Sequence, residues 1–234
     1  MEPDDKKVTN LTEPGSAEKR PVLALRRLWK AEIFYAVALL AFGMLALLAH
    51  WYSRFSWDAT LQHWILDLQG PGFGEFMRLV SIPGNGPIPH ILTVLTALLF
   101  LSLRLRSEAF SILMSAAGSG LVNTTLKILV GRPRPLVESG SISFSGNSFP
   151  SGHVTFFVCY FGFLFFVAYA LLPRGSLTRR LVLLISLLPI LLIGISRVYL
   201  TAHWPSDTLG SYLFGGVWLA FSLDMYRRWK ARQS

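Results

Sequence analysis

Long apolar blocks alternate with short polar clusters along this chain. The first block runs from Ile33 to Ser53, 21 residues without Asp, Glu, Lys or Arg, about the length that crosses a hydrocarbon core. Further blocks cover Pro87 to Leu103, Ala109 to about Leu126, Val154 to Leu172, Leu181 to Ser196 and Thr208 to Leu223. They predict an all-α polytopic membrane protein: a bundle of six transmembrane helices in a membrane domain at residues 31–226. The last two blocks are short, so their ends must extend into the flanking polar segments or the interface. Pro189 predicts a kink whose freed carbonyl finds a partner in the bundle, and the small residues from Ser115 to Gly120, like Ser211 and Gly215, predict close helix approach.

Between the first two blocks, Trp57, Leu61, Trp64 and Leu68 repeat at helical spacing, as do Phe73, Phe76, Met77 and Val80 after the GPG at Gly70 to Gly72. They predict two short helices, which either lie in the interface and keep Asp58, Asp67 and Glu75 wet or pack on the bundle. Arg104, Arg106 and Glu108 form a tight turn. Met1 to Arg20 lacks periodicity and predicts a disordered tail; Pro21 to Lys30 is a basic interfacial lead-in, and together these form a cytoplasmic segment at residues 1–30. About thirty polar residues before the first block make too long a leader for an ordinary cleaved signal, so a retained N-terminus is expected. Residues 227–234 read as a basic cytoplasmic tail.

Composition agrees with a lipid-solvated chain: 52% of residues are hydrophobic, 15% charged, and the mean hydropathy is +0.47. The net charge of +9 sits at the ends of apolar blocks without a basic stripe, which points away from nucleic acid. It sets orientation instead. Of the 22 Lys and Arg, all but Arg54, Arg78, Lys127, Arg132, Arg134 and Arg197 fall on the side of the termini. The positive-inside rule therefore predicts cytoplasmic termini in the cell (inner) membrane, with the polar clusters on the outer, periplasmic or extracellular side. Cys159 is the single cysteine, so no intrachain disulfide forms and a packing role is expected.

Three polar clusters interrupt the apolar blocks: KILVGRPRP from Lys127 to Pro135, FPSGH from Phe149 to His153, and SRVYLTAHWPSD from Ser196 to Asp207. Ionisable groups in such surroundings are functional candidates. Lys127, Arg134 and Arg197 make a cradle for phosphate, one as a point charge and two as forks. Ser151, Gly152 and His153 open a helix whose free N–H groups and dipole favour an anion. Asp207, four residues after His203 and on the same helical face if the last helix begins near Pro205, a residue favoured in a first turn, can hold one ring nitrogen and leave the other as a nucleophile, while His153 can serve as general acid. Two His and one Asp also suit zinc, but three cations would repel a metal and the carboxylates expected for magnesium are absent, so no metal and no cofactor is expected. Arg132 carries no assignment; taken alone it reads as a snorkelling residue. His50, His63 and His90 read as satisfied interfacial residues, and Glu138 as a solvated loop residue.

These clusters resemble the type 2 phosphatidic acid phosphatases, whose pattern is K-x6-RP, then PSGH, then SR-x5-H-x3-D; all three fragments match in order, without gap or substitution. The resemblance implies metal-free catalysis through a phosphohistidine. In it His203 attacks phosphorus, Asp207 orients it and His153 protonates the leaving group, while Lys127, Arg134, Ser151, Gly152 and Arg197 bind the phosphoryl oxygens. It also implies a membrane lipid phosphate as substrate: undecaprenyl pyrophosphate, phosphatidylglycerol phosphate or phosphatidate, reached through a gap near the third and fourth spans. Some undecaprenyl pyrophosphatases carry Asp where Gly152 stands, which sets this chain nearer the broad-specificity branch. A lipid A phosphatase, a phosphotransferase and a non-enzymatic headgroup binder are the other readings; vanadium haloperoxidases share the cradle but are soluble. Oligomeric state is not legible.

Overall fold

The computed structural model describes residues 16–68, 70–135 and 146–232, with side chains from Glu32 onward. The expectations for Met1 to Gly15, for Glu138 and for the last two residues lie outside them. Residues up to Val37 form one compact unit and those from Ala38 another; the site described below belongs to the second. Among the described residues every regular element is helical. They run α1 (Ser16–Trp51), α2 (Ser56–Leu66), α3 (Phe73–Ser81), a 3-10 turn (Ile82–Gly84), α4 (Ile88–Ser102), α5 (Arg106–Ile112), a π-helical turn (Leu113–Ala117), α6 (Gly118–Val130), α7 (Gly152–Leu171), α8 (Leu177–Tyr199) and α9 (Pro205–Ala231).

Among the described residues four stretches are long and apolar enough to cross a membrane: Glu32–Trp51, Arg106–Val130, Gly152–Leu171 and Leu177–Tyr199. A fifth arises if the pair Phe73–Gly84 and Ile88–Ser102, bent by 57°, counts as one. The second expected span thus corresponds to α4, only 15 residues long. The sixth corresponds to α9, which has 27 residues but falls outside the apolar set. Two expected tails are shorter than the sequence suggests, because α1 reaches back to Ser16 and α9 continues to Ala231.

Apolarity on all sides has two outcomes here. α7 is buried along most of its length, with Val154, Phe157, Cys159 and Phe163 fully enclosed by α8, α9 and the Arg106–Val130 helix; a helix hydrophobic all round belongs in an interior. By contrast Leu40 of α1, Leu121 and Ile128 are 72–75% exposed, which in a bilayer means contact with acyl chains. Small residues let the helices close. A Cβ on Gly118 would meet Trp218 at 2.9 Å and one on Gly215 would meet Val158 at 3.1 Å. In the π-helical turn the Ser115 carbonyl accepts from Trp218 Nε1 at 3.1 Å.

Pro189 stands inside α8. Just beyond it the Tyr212 hydroxyl enters the helical ladder, donating to the Ile190 carbonyl at 2.6 Å and accepting from the Gly194 N–H at 3.2 Å. The two short helices form where periodicity predicts them and pack on α8, α2 also on α9. Asp67 and Glu75 are exposed, but Asp58 is not wet. It is completely buried, because an arginine and the start of α9 satisfy its oxygens. Glu108 likewise lies inside α5 and not in a turn, buried against Tyr226 and Lys230 of α9.

Candidate phosphate site

Lys127 occupies the last turn of α6, which Gly131 ends in the left-handed conformation at φ 67°. Two prolines then keep residues 132–135 extended. The segment 146–148 runs alongside. The Ser148 N–H donates to the Arg132 carbonyl at 2.7 Å, and Lys127 Nζ donates to the Asn147 and Ser148 carbonyls at 2.7 and 3.2 Å. Arg134 Nη1 donates to the Ala202 carbonyl at 2.7 Å and lies 3.4 Å from His203 Nε2. The first and third clusters are therefore joined directly.

Arg197 sits in the last turn of α8, buried, with Nη1 donating to Ser81 Oγ of α3 at 3.1 Å. After it the chain reverses. Thr201 takes φ 53°, and the Ala202 and His203 N–H groups both donate to the Arg197 carbonyl. α9 begins at Pro205, where expected, and with that start His203 lies in the turn before the helix, so the two side chains do not meet on one helical face. The reversal, and not helical periodicity, brings the two together. His203 Nδ1 faces Asp207 Oδ2 at 3.6 Å, beyond hydrogen-bond reach, and is buried without another partner. Asp207 is otherwise engaged. Its Oδ2 accepts the Trp204 N–H at 2.9 Å, capping α9, and its Oδ1 accepts Arg132 Nη1 at 2.6 Å.

The second cluster meets the others through α9. The Ser151 N–H donates to Ser211 Oγ at 2.6 Å, and Ser211 Oγ donates to the Asp207 carbonyl at 2.6 Å. Ser151 Oγ is buried and lacks a protein partner, an uncommon state for a hydroxyl unless a ligand completes it. Gly152 opens α7; a Cβ there would touch Asn123 at 3.4 Å, so the backbone is close to a neighbour without being wedged. His153 lies within electrostatic reach of His203, Lys127, Arg134 and Arg197, and its Nε2 is 2.8 Å from Asn85 Oδ1. Gly84 makes room for it, since a Cβ there would fall 2.3 Å from the imidazole Cδ2.

Burial, and then the charges of Lys127, Arg197 and Arg134, push the His203 imidazole well below its ordinary value. The neutral ring is the result, and one nitrogen keeps a lone pair. The three cations that disfavour charge on this ring favour an incoming anion beside it. Among the described residues no three His, Cys, Asp or Glu side chains converge as a metal site.

A cleft of about 510 Å³ leads away from the cations. Lys127, Gly152 and His153 form its polar head; Val94, Leu113 and Phe156 are among its apolar walls. It lies between α4 and the Arg106–Val130 helix, with the start of α7 at its head. The gap thus involves the second and third expected spans more than the third and fourth.

Sequence reasoning missed several neighbours of the site: Ser81, Asn85, Ser211, and above all Arg132 and Asp58. Arg132 does not snorkel. It is 1% exposed and its guanidinium joins Asp207 to Asp58, donating to Asp58 Oδ2 at 2.8 Å. Its position within GRPRP was a usable signal; nothing marks Asp58, 74 residues away.

The match of a family model decides the lineage: residues 108–231 fit the PAP2 superfamily. The chain belongs to that superfamily. The resemblance carried by the three clusters is therefore borne out. A 182-residue stretch, 75% of the chain, is 28% identical to phosphatidylglycerophosphatase B of Bacillus subtilis and covers 86% of that protein. Over 120 residues the chain is 36% identical to the lipid A 1-phosphatase of Rhizobium etli, covering 47% of each. The fold is similar to the crystal structure of the transmembrane PAP2 type phosphatidylglycerolphosphate phosphatase from Bacillus subtilis, with a TM-score of 0.70, 25% identity, and coverage of 83% of this chain and 96% of that one. The expected all-helical membrane phosphatase fold agrees with this neighbour.

Proposed function

We propose that this PAP2 protein is a metal-independent membrane lipid phosphatase that removes phosphate from a lipid phosphomonoester or pyrophosphate through a phosphohistidine. The observation that carries the reading is the placement of Lys127, Arg134 and Arg197 around a buried neutral His203, beside a cleft that is polar at its head and apolar along its walls. A phosphate head fits the first and an acyl or prenyl tail the second. The names of the relatives support the same class of substrate, and undecaprenyl pyrophosphate, phosphatidylglycerol phosphate and phosphatidate are its candidate members.

The steps follow from the side chains. His203 Nδ1 carries the proton toward Asp207, and the Nε2 lone pair forms a bond to phosphorus as the bond to the leaving oxygen breaks. His153 gives that oxygen a proton. Lys127, Arg134, Arg197, Ser151 and the backbone at Gly152 hold the three phosphoryl oxygens, whose charge redistributes in the transition state. Water, deprotonated by His153, then attacks phosphorus and breaks the N–P bond, releasing inorganic phosphate. With six spans and cytoplasmic termini this site faces the outer side of the cell membrane.

Phosphate release by detergent-purified protein tests this, with EDTA present and with the three lipids as alternative substrates. Release should survive EDTA and disappear in His203→Ala that remains folded. Turnover persisting in that variant would remove His203 as nucleophile; an EDTA-sensitive reaction would remove the metal-free mechanism.

A further inference from the structure

Buried charge is costly unless it is paired and hydrogen-bonded, and one such buried set, centred on Arg132, lies behind the candidate phosphate site. Arg132, Asp58 and Asp207 all have side chains with 0% exposure. Four of the five guanidinium N–H groups are engaged: Nη1 donates to Asp207 Oδ1 at 2.6 Å and to Ser206 Oγ at 2.7 Å, Nη2 to Asp58 Oδ2 at 2.8 Å, and Nε to the Ser53 carbonyl at 3.2 Å. The Phe55 ring lies 4.7 Å beneath it. Asp58 in turn accepts the Ser206 N–H at 2.9 Å, the Ser206 hydroxyl at 2.8 Å and the Phe55 N–H at 3.1 Å. One cation is thus shared between two carboxylates, and the helix that carries Asp207 is pinned to α2 at its first turn.

This arrangement determines what Asp207 can offer His203. If Arg132 had Asp207 as its sole counter-ion, the pair would neutralise each other and leave little negative charge for the imidazole. Asp58 supplies a second carboxylate, so the triad keeps a net negative charge, and Asp207 Oδ2, which also accepts the Trp204 N–H, faces His203 Nδ1 at 3.6 Å. As Nε2 bonds to phosphorus the ring becomes cationic, and a residual negative charge behind Nδ1 stabilises that change more than it stabilises the ground state. We infer that Asp58, acting through Arg132, is a positioning residue for the Asp207–His203 pair, and that α2, outside the stretch matched by the family model, completes the catalytic machinery. The inference rests on the phosphohistidine reading above.

The test is a double-mutant cycle on phosphate release from the best lipid substrate. Asp58→Asn should lower kcat by roughly 10- to 100-fold, the worth of a charge-assisted contact, with KM changed by less than about threefold because the phosphate cradle is untouched. In the Asp207→Asn background, where there is no charge left to tune, the same substitution should cost no more than about twofold. Arg132→Lys, which keeps the charge but cannot fork between two carboxylates, should behave likewise and serves if Asp58→Asn does not fold. Equal losses in both backgrounds, a loss confined to KM, or wild-type turnover in either variant would overturn the inference; so would failure of both variants to fold, which would make the triad structural only. The parallel His203→Ala measurement keeps the two ideas apart. Turnover surviving it removes the nucleophile, whereas additivity in the cycle removes only the role of Asp58.

Discussion

The chemistry of this site is set by one residue kept neutral among cations. An ordinary imidazole has a pKa of about 6.5, and His203 lies well below that because burial penalises its charged form first and Lys127, Arg197 and Arg134 penalise it further. Folding therefore favours the neutral ring. The associated stability is full above the unfolded value of about 6.5 and is lost as pH falls from there toward the folded value. For the proposed nucleophile the consequence is a lone pair that is free throughout the neutral range. In phosphate-free detergent solution the imidazole nitrogens of His203, assigned by comparison with His203→Ala, should keep the NMR shifts of a neutral ring from pH 8 down to pH 6. A titration midpoint near 6.5 would show that the cations do not act on the ring as described. At this scale the sequence was most informative where charge interrupts apolar blocks. Lys127, Arg134, Arg197, His153 and His203 stand out for that reason, and the structure brings them together. Asp58 was illegible because a lone carboxylate on one side of a short amphipathic helix has the same pattern whether it faces water or a buried guanidinium.

Element by element, legibility followed length and purity of pattern. The long apolar helices were foreseeable from hydrocarbon thickness, and the short α2 and α3 from their spacing, whereas helix ends were displaced where cap and turn chemistry overrode the pattern. The turn after Arg197 is the clearest case. The helix start at Pro205 was legible, but with that start His203 precedes the helix, and the chain reversal, not a shared face, sets its distance from Asp207. The interior of α8 shows a second device that periodicity does not reveal. The Tyr212 hydroxyl bridges the Ile190 carbonyl and the Gly194 N–H, and a Cβ on Gly194 would come within 2.9 Å of that ring, so the two helices fit at this point through both space and hydrogen bonds. Tyr212→Phe keeps the ring and removes the bridge. It should lower stability by about 1 kcal/mol, a fall of roughly 2–4 °C in Tm for a protein of this size, with turnover unchanged within about twofold because Tyr212 does not touch the phosphate site. A Tm equal to that of the parent protein would mean that the backbone groups find each other without the hydroxyl.

For the whole molecule the open question is which way it faces. The lipid-exposed surface is uniform in chemistry, so the bundle itself does not choose; the loops do. Basic residues accumulate at the termini and at the turns around Arg104 and Arg174, while the opposite side keeps chiefly Arg54 and Arg78 beyond the cations buried in or beside the site. Moving a charge-rich loop across the membrane is the disfavoured event, so the phosphate site should face outward. The sole native cysteine, Cys159, is fully buried, and Cys159→Ala gives a silent background. Gly70 is exposed, with open space where a Cβ would stand, and lies between α2 and α3 on the same side as the site; Arg174 is exposed on the other, between α7 and α8. An impermeant maleimide applied to intact cells should label Gly70→Cys and leave Arg174→Cys unlabelled until the membrane is permeabilised. The reverse pattern would place the phosphate site in the cytoplasm, where its lipid would be drawn from the inner leaflet. Equal labelling of both before permeabilisation would mean an even number of crossings between them, and so would exclude one of α4, the Arg106–Val130 helix or α7 as a complete span, or add one elsewhere.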